Sequence, residues 1–80
     1  MSFVNTARRS SNIGEVGYDP AKLQMVIGFK SGGRYLYERV SPRDHGVFMA
    51  QPSLGKAFNS MFYGKAKQYP STKLGPTSGH

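Results

Sequence analysis

Two stretches of alternating apolar residues on either side of a glycine pair constrain the fold of this chain most. In residues 23–29, apolar side chains occupy every second position: Leu23, Met25, Ile27 and Phe29. This is the period of a strand with one buried face. Gly32 and Gly33 follow, and glycine accepts the positive φ angles of tight hairpin turns. Residues 34–40 then alternate again, which predicts the returning strand of a hairpin.

A weaker strand precedes the hairpin in residues 11–18. Ile13 is out of phase with Val16 and Tyr18, which predicts a β-bulge in this strand. A turn over residues 18–22 contains Asp-Pro and connects it to the hairpin. The sequence therefore predicts a three-stranded antiparallel meander.

After residue 40 the period changes from that of a strand to that of a helix. Ser41 and Pro42, with Asp44 three residues after the serine, are typical of a helix N-terminus, and Pro52 ends that helix. Ser53 begins a second helix, whose apolar stripe is Leu54, Ala57, Phe58, Met61 and Phe62. The predicted fold class is α+β, in the order β-β-β-α-α, with both helices packed on one sheet face.

The length of 80 residues fits one domain. We expect residues 1–9 to be a flexible basic arm and residues 10–69 to be the folded domain. Residues 70–80 are rich in Pro, Gly, Ser and Thr and bury too little apolar surface to offset their ordering entropy, which predicts a disordered tail. No apolar run is long enough for a membrane helix or a signal peptide. A cytoplasmic protein without membrane contact is expected.

The charge is unevenly distributed along the chain. Eleven Lys and Arg face four Asp and Glu, for a net charge of +7. All four acids lie before His45, and the rest of the chain carries lysines alone among charged residues. This pattern suggests a polyanionic partner such as nucleic acid. The alternative is a charged surface that only prevents association.

The chain lacks the residue combinations that common catalytic sites use. The chain has no cysteine, so a thiolate nucleophile and a thiolate zinc site are excluded. Asp44 and His45 are able in principle to form an oriented base, but no serine lies in a nucleophile-elbow sequence. The alternative is that Asp44 belongs to the helix cap beside a surface histidine. Two isolated histidines and four scattered acids do not have metal-ligand spacing. We predict a protein that is not an enzyme and has no cofactor or metal.

Tyr35 and Tyr37 are the strongest candidates for contacts with a ligand. Two aromatic residues at i and i+2 share one strand face, where they can stack on successive unpaired bases. Lys30, Arg34 and Arg39 lie close in sequence and are candidates for phosphate contacts. The alternative is that the same face packs beneath the second helix. Periodicity alone does not decide between base stacking and core packing.

The start of the second helix offers another candidate. Ser53 as the N-cap and Gly55 in the first turn leave backbone N–H groups that can bind an anion, with help from Lys56. The alternative is that Gly55 permits close approach of helix and sheet while Lys56 is solvated.

Several short motifs in this order resemble the KTSC domain, a short domain named for its occurrence at the C-terminus of some lysyl-tRNA synthetases. It is also found alone in small bacterial and phage proteins. The motifs are Ser11-Asn12-Ile13, Gly17-Tyr18-Asp19, Gly33-x-Tyr35-x-Tyr37, Val40-Ser41-Pro42 and Ser53-x-Gly55-Lys56-x-Phe58-Asn59. The resemblance covers about residues 10–69. It implies RNA rather than DNA as the partner, through the association with a tRNA enzyme.

Two functional hypotheses follow. The first is nucleic-acid binding, with phosphate contacts from Arg8, Arg9, Lys30, Arg34, Arg39, Lys56, Lys65 and Lys67. Bases would stack on Tyr35 and Tyr37, or on Phe48. The second is a phage-type protein-interaction module that docks on an acidic surface of a host nucleic-acid-handling enzyme, through the edge strand that a meander leaves exposed. We expect a monomer or an edge-strand dimer.

Overall fold

A five-stranded antiparallel sheet with two helices on one face forms the fold of the described residues. The computed structural model describes residues 2–6, 8, 10, 12–65 and 67–76. The strands are β1 (Ser2–Asn5), β2 (Ile13–Asp19), β3 (Gln24–Phe29), β4 (Gly33–Tyr37) and β5 (Ser71–Pro76). The helices are α1 (Pro42–Met49) and α2 (Leu54–Met61), which lie between β4 and β5 in the chain. The predicted α+β class is confirmed.

The strand order in the sheet, β1-β2-β3-β4-β5, follows the chain. The predicted meander corresponds to β2, β3 and β4. The prediction of three strands is incomplete, because Ser2–Asn5 of the predicted arm pairs with β2 and Ser71–Pro76 of the predicted tail pairs with β4. Edge strands gain backbone hydrogen bonds on one side only and bury little side-chain area, so they lack a strong alternating apolar pattern.

The predicted bulge in β2 is confirmed. Ile13 pairs with Phe29 and Glu15 pairs with Gly28, so Gly14 is the extra residue between them. The bulge changes the phase of the strand. As a result, Ile13 and Val16 are both buried although they are three residues apart.

The core lies between the helices and the sheet face that they cover. The sheet contributes Met25 and Ile27, and the helical segment contributes Phe48, Leu54 and Phe62, all of them buried. Full burial of side chains of this size stabilises a fold by roughly 1.5–3 kcal/mol each. The prediction that Leu23 shares this face is wrong, because Leu23 lies before β3 with a φ of 54° and is exposed.

Both helices begin at the predicted serine caps. Ser41 Oγ accepts a hydrogen bond from the backbone N of Asp44 at 3.1 Å. Ser53 Oγ accepts one from the backbone N of Lys56 at 3.4 Å. Each bond satisfies one of the N–H groups that a helix start leaves without an intrahelical partner. Within the described ranges, neither helix is long and apolar enough to cross a membrane.

On the sheet face opposite the helices, side chains of neighbouring strands pack against one another. The Phe3 ring of β1 lies over Gly17 of β2, where an added Cβ would be 2.7 Å from the ring. The Arg34 guanidinium lies 5.1 Å from the centre of the same ring and forms an ion pair with Glu15. A glycine within β2 therefore marks the close approach of a neighbouring side chain.

Candidate functional site

A cleft of about 500 Å³ opens between the β4 side of the sheet and the C-terminal end of α2. This volume falls within the roughly 300–1,000 Å³ of small-ligand sites in proteins. Seven of its lining residues are aromatic: Phe29, Tyr35, Tyr37, Phe58, Phe62, Tyr63 and Tyr69. We call this site the aromatic cleft.

The sheet side of the aromatic cleft carries the two tyrosines that the sequence singled out. Tyr37 is only 7% exposed, and its ring centre lies 5.8 Å from that of Phe58. Burial raises the pKa of Tyr37 to about 12. Tyr35 is half-buried and packs edge-on against Phe29 at 5.8 Å. Tyr37 thus belongs to the core, as the packing alternative predicted, while Tyr35 retains a partly accessible ring.

The other side of the aromatic cleft comes from α2 and the segment that follows it. Tyr63 is 70% exposed, with its ring centre 6.3 Å from that of Phe58. Tyr69 is buried against Phe62 at 4.8 Å. Sequence reasoning missed Tyr63 and Tyr69, because both lie beyond the apolar stripe of α2. Their aromatic character near the helix end was the available signal.

The remaining lining of the aromatic cleft is polar, and Lys65 is its one charged residue in the part of the chain that the structure describes. Lys73 pairs in register with Tyr35 across β4 and β5 and is exposed. A cation at the rim of a cleft that lacks carboxylates favours anionic ligands.

Asn12 lies in the lining where the chain enters β2. Its Oδ1 accepts a hydrogen bond from Ser10 Oγ at 2.8 Å. The same oxygen would be 2.7 Å from a Cβ added at Gly55. Gly55 therefore allows the start of α2 to approach Asn12 closely, which favours the packing interpretation of this glycine over an anion site.

Arg34 does not join the tyrosines, contrary to the prediction. Successive residues of a strand point to opposite faces, so Arg34 lies on the uncovered face while Tyr35 lies under the helices. There it pairs with Glu15, and both side chains are about one-third exposed at 31%. Phe48 is also wrong as a stacking candidate, because it is fully buried in the core.

The other predicted phosphate contacts are exposed but scattered. Arg9 lies outside the described residues. The exposed ones are Arg8, Lys30, Arg39, Lys56, Lys65 and Lys67. Of these, only Lys65 lines the aromatic cleft within the described chain. Arg39 lies instead beside a smaller recess with Lys22 and Pro70.

Asp44 and His45 have partners that attach α1 to its surroundings. Tyr69 Oη donates a hydrogen bond to Asp44 Oδ2 at 2.8 Å. The His45 ring stacks on Tyr18 at 4.1 Å, and burial lowers its pKa. Tyr18 Oη in turn donates to the carbonyl oxygen of Val40 at 2.7 Å. No group of three or more metal-ligating side chains occurs among the described residues.

The described fold is a small α+β domain with one helix-covered sheet face. The KTSC domain model matches residues 9–65. An uncharacterized protein of Stutzerimonas stutzeri (strain A1501) is 38% identical over 56 residues, which are 70% of this chain and 79% of that protein. The crystal structure of a KTSC domain protein from Yersinia pestis aligns with a TM-score of 0.75 and 36% identity, covering 82% of this chain and 89% of that one. The chain belongs to the KTSC domain family.

Proposed function

We propose that this protein binds single-stranded nucleic acid, with RNA favoured over DNA, and that it is not an enzyme. The observation that carries the proposal is the aromatic cleft, which combines accessible rings with a lysine and has no carboxylate in its described lining. Stacking of an unpaired base on an aromatic side chain contributes roughly 1–3 kcal/mol. RNA is favoured because its loops and ends present unstacked bases to such sites.

The charge of the chain supports the same partner. The net charge of +7 attracts a polyanion over a long range, and Lys65 and Lys73 place positive charge beside the accessible tyrosines. Phosphate contacts of this kind release condensed counterions, so the affinity falls steeply as salt is added. Tyr35 and Tyr63 supply the base contacts in this arrangement, and the lysines supply the phosphate contacts.

Fluorescence anisotropy with a labelled single-stranded RNA tests the proposal. We expect measurable binding at about 50 mM salt and much weaker binding at about 200 mM. Lys65→Ala should weaken binding more than Lys22→Ala, although each variant removes one positive charge, because only Lys65 lines the cleft. Absence of binding at the lower salt concentration would overturn the proposal.

The second candidate is a protein-interaction module of the phage type, which docks on a host nucleic-acid-handling enzyme. The exposed edge strand β5 favours it, because Leu74 is exposed at an edge that a partner strand can extend. Affinity capture from a nuclease-treated bacterial lysate separates the two candidates. A stoichiometric partner that persists after nuclease and is lost on Leu74→Lys supports docking, whereas loss of all partners after nuclease supports nucleic-acid binding.

A further inference from the structure

The side chain of Asn12 is held in one orientation by Ser10. Ser10 Oγ accepts hydrogen bonds from the backbone N of Asn12 at 3.3 Å and of Ile13 at 3.0 Å. A serine hydroxyl has one hydrogen to donate and two lone pairs that accept. Because the two backbone N–H groups use the lone pairs, the hydroxyl hydrogen is donated to Asn12 at 2.8 Å. The receiving atom must then be the carboxamide oxygen.

Two further contacts hold Asn12, one through its backbone and one at its side chain. The backbone N of Lys30 donates to the carbonyl oxygen of Asn12 at 2.8 Å, which ties the residue to the end of β3. On the other side, Gly55 leaves the space that Asn12 Oδ1 occupies, 2.7 Å from where a Cβ would stand. Ser10 is buried, so water competes poorly for its hydroxyl.

This orientation determines what Asn12 offers to a ligand. With Oδ1 turned to Ser10 and Gly55, the Nδ2 group and its two hydrogens are what the side chain can present to the aromatic cleft that it lines. The Lys65 ammonium in the same lining is also a donor without acceptor capacity. Asn59, the lining serines and the tyrosine hydroxyls can donate or accept, so they favour neither kind of ligand. Asn12, whose carboxamide orientation is fixed by hydrogen bonds, therefore offers a donor.

We propose that the aromatic cleft selects uracil and guanine, which carry a carbonyl oxygen at C4 or C6, over cytosine and adenine, which carry an amino group at that position. This inference rests on the proposed function. Uracil has O4 where cytosine has an amino group, and guanine has O6 where adenine has one. The Nδ2 hydrogens of Asn12 form a hydrogen bond with the carbonyl oxygen, whereas an amino group places two donors against each other and leaves both unpaired.

The direct test compares two pyrimidine homopolymers of equal length, oligouridylate and oligocytidylate, on the full chain at about 50 mM salt. The backbones of the two are identical, so the phosphate contribution cancels in their affinity ratio. We expect uridylate to bind roughly three- to tenfold more tightly, which is the effect of one hydrogen bond made or lost.

Asn12→Asp provides the sharper variant, because it keeps the shape of the side chain and exchanges the donor for an acceptor. The added negative charge weakens both oligonucleotides, but the ratio should invert in favour of cytidylate. Gly55→Ala displaces the carboxamide and should bring the ratio close to one while the salt dependence persists. Lys22→Ala, a change outside the cleft lining and in the smaller recess, should leave the wild-type ratio unchanged.

The outcomes separate the inference from the function on which it rests. Equal affinity for both oligonucleotides in the wild type, with steep salt dependence, overturns the base preference and leaves nucleic-acid binding intact. A wild-type preference that Asn12→Asp does not reduce also overturns it, because the selectivity then comes from elsewhere. Failure of both oligonucleotides to bind overturns the proposed function and the inference together.

Discussion

The two helices pack on the same sheet face, but the two ends of that interface differ. At the α1 end, the side chains contact one another: Tyr69, which also lines the aromatic cleft, donates to Asp44, and His45 stacks on Tyr18. Phe48 of the same helix is fully buried in the core. At the α2 end, the aromatic cleft stays open beside Tyr63. Aromatic residues are common to both ends, so residue type alone does not decide the role. The difference is how much of each ring remains exposed after packing, since Phe48 is fully buried whereas Tyr63 is 70% exposed.

Truncation of one aromatic residue from each end should separate stability from binding. Phe48→Ala should lower the free energy of unfolding by about 3–5 kcal/mol, because it leaves a cavity in the core. Tyr63→Ala should change it by no more than about 0.5 kcal/mol, since the ring is mostly exposed. Urea denaturation measures both. Tyr63→Ala should also lower the affinity for oligonucleotides. A similar loss of stability in the two variants would contradict the distinction between the two ends.

Tyr37 should make the fold sensitive to alkali. Its folded pKa of about 12 lies above its unfolded value of about 10, so its stabilising contribution is complete below the unfolded pKa and is lost as pH rises through the folded pKa. The loss amounts to about 2–3 kcal/mol. Urea midpoints measured over this range should fall less steeply for Tyr37→Phe than for wild type. If the urea midpoints of Tyr37→Phe and wild type fell in parallel with pH, the Tyr37 hydroxyl would not be the source of the alkali sensitivity.

The helix caps give a smaller contrast between the two ends. Ser41→Ala and Ser53→Ala should each destabilise by about 1 kcal/mol. The cap of α1 is the shorter bond, 3.1 Å against 3.4 Å, so Ser41→Ala should have the larger effect. Chemical denaturation of the two single variants side by side gives the comparison. The reverse ranking would contradict the inference that the shorter cap hydrogen bond stabilises its helix more.

His45 should give a mild sensitivity to acid. Burial lowers its folded pKa, so its contribution is present above the unfolded pKa of about 6.5 and is lost as pH falls through the folded pKa. His45→Phe keeps a ring for Tyr18 and removes the titration. The difference in urea midpoint between about pH 7 and about pH 5 should therefore be smaller in the variant than in wild type. An unchanged difference would assign the acid sensitivity to other groups.

The centre of the fold was predictable because its signals are local. Alternation defined β3, the bulge in β2 followed from the phase of Ile13, and Ser41 and Ser53 marked the helix starts. The edge strands were not predictable, because pairing with a neighbour holds them rather than burial of an apolar face. The sequence left open which face of β4 is covered, since only the packing of α2 decides that Tyr37 is buried while the Tyr35 ring stays partly accessible.

The candidate site was harder to predict than the fold. The aromatic cleft joins Asn12, Tyr35 and Tyr63, which are far apart in sequence, and no local period connects them. Arg34 and Tyr35 show the opposite case, in which neighbours in sequence lie on opposite faces of the sheet. Proximity in sequence was therefore misleading for the grouping of Arg34 with the tyrosines. The orientation of the Asn12 carboxamide could be inferred only from the hydrogen bonds that Ser10 makes.

The strand order also has a consequence for folding kinetics. Each of the first three strand pairs joins segments that are near neighbours in the chain, and such local pairing is fast. Only the pairing of β4 with β5 spans both helices. The entropic cost of closing this long loop is offset only after the helices have packed on the sheet. We therefore expect β5 to pair last during folding and to detach first by local unfolding.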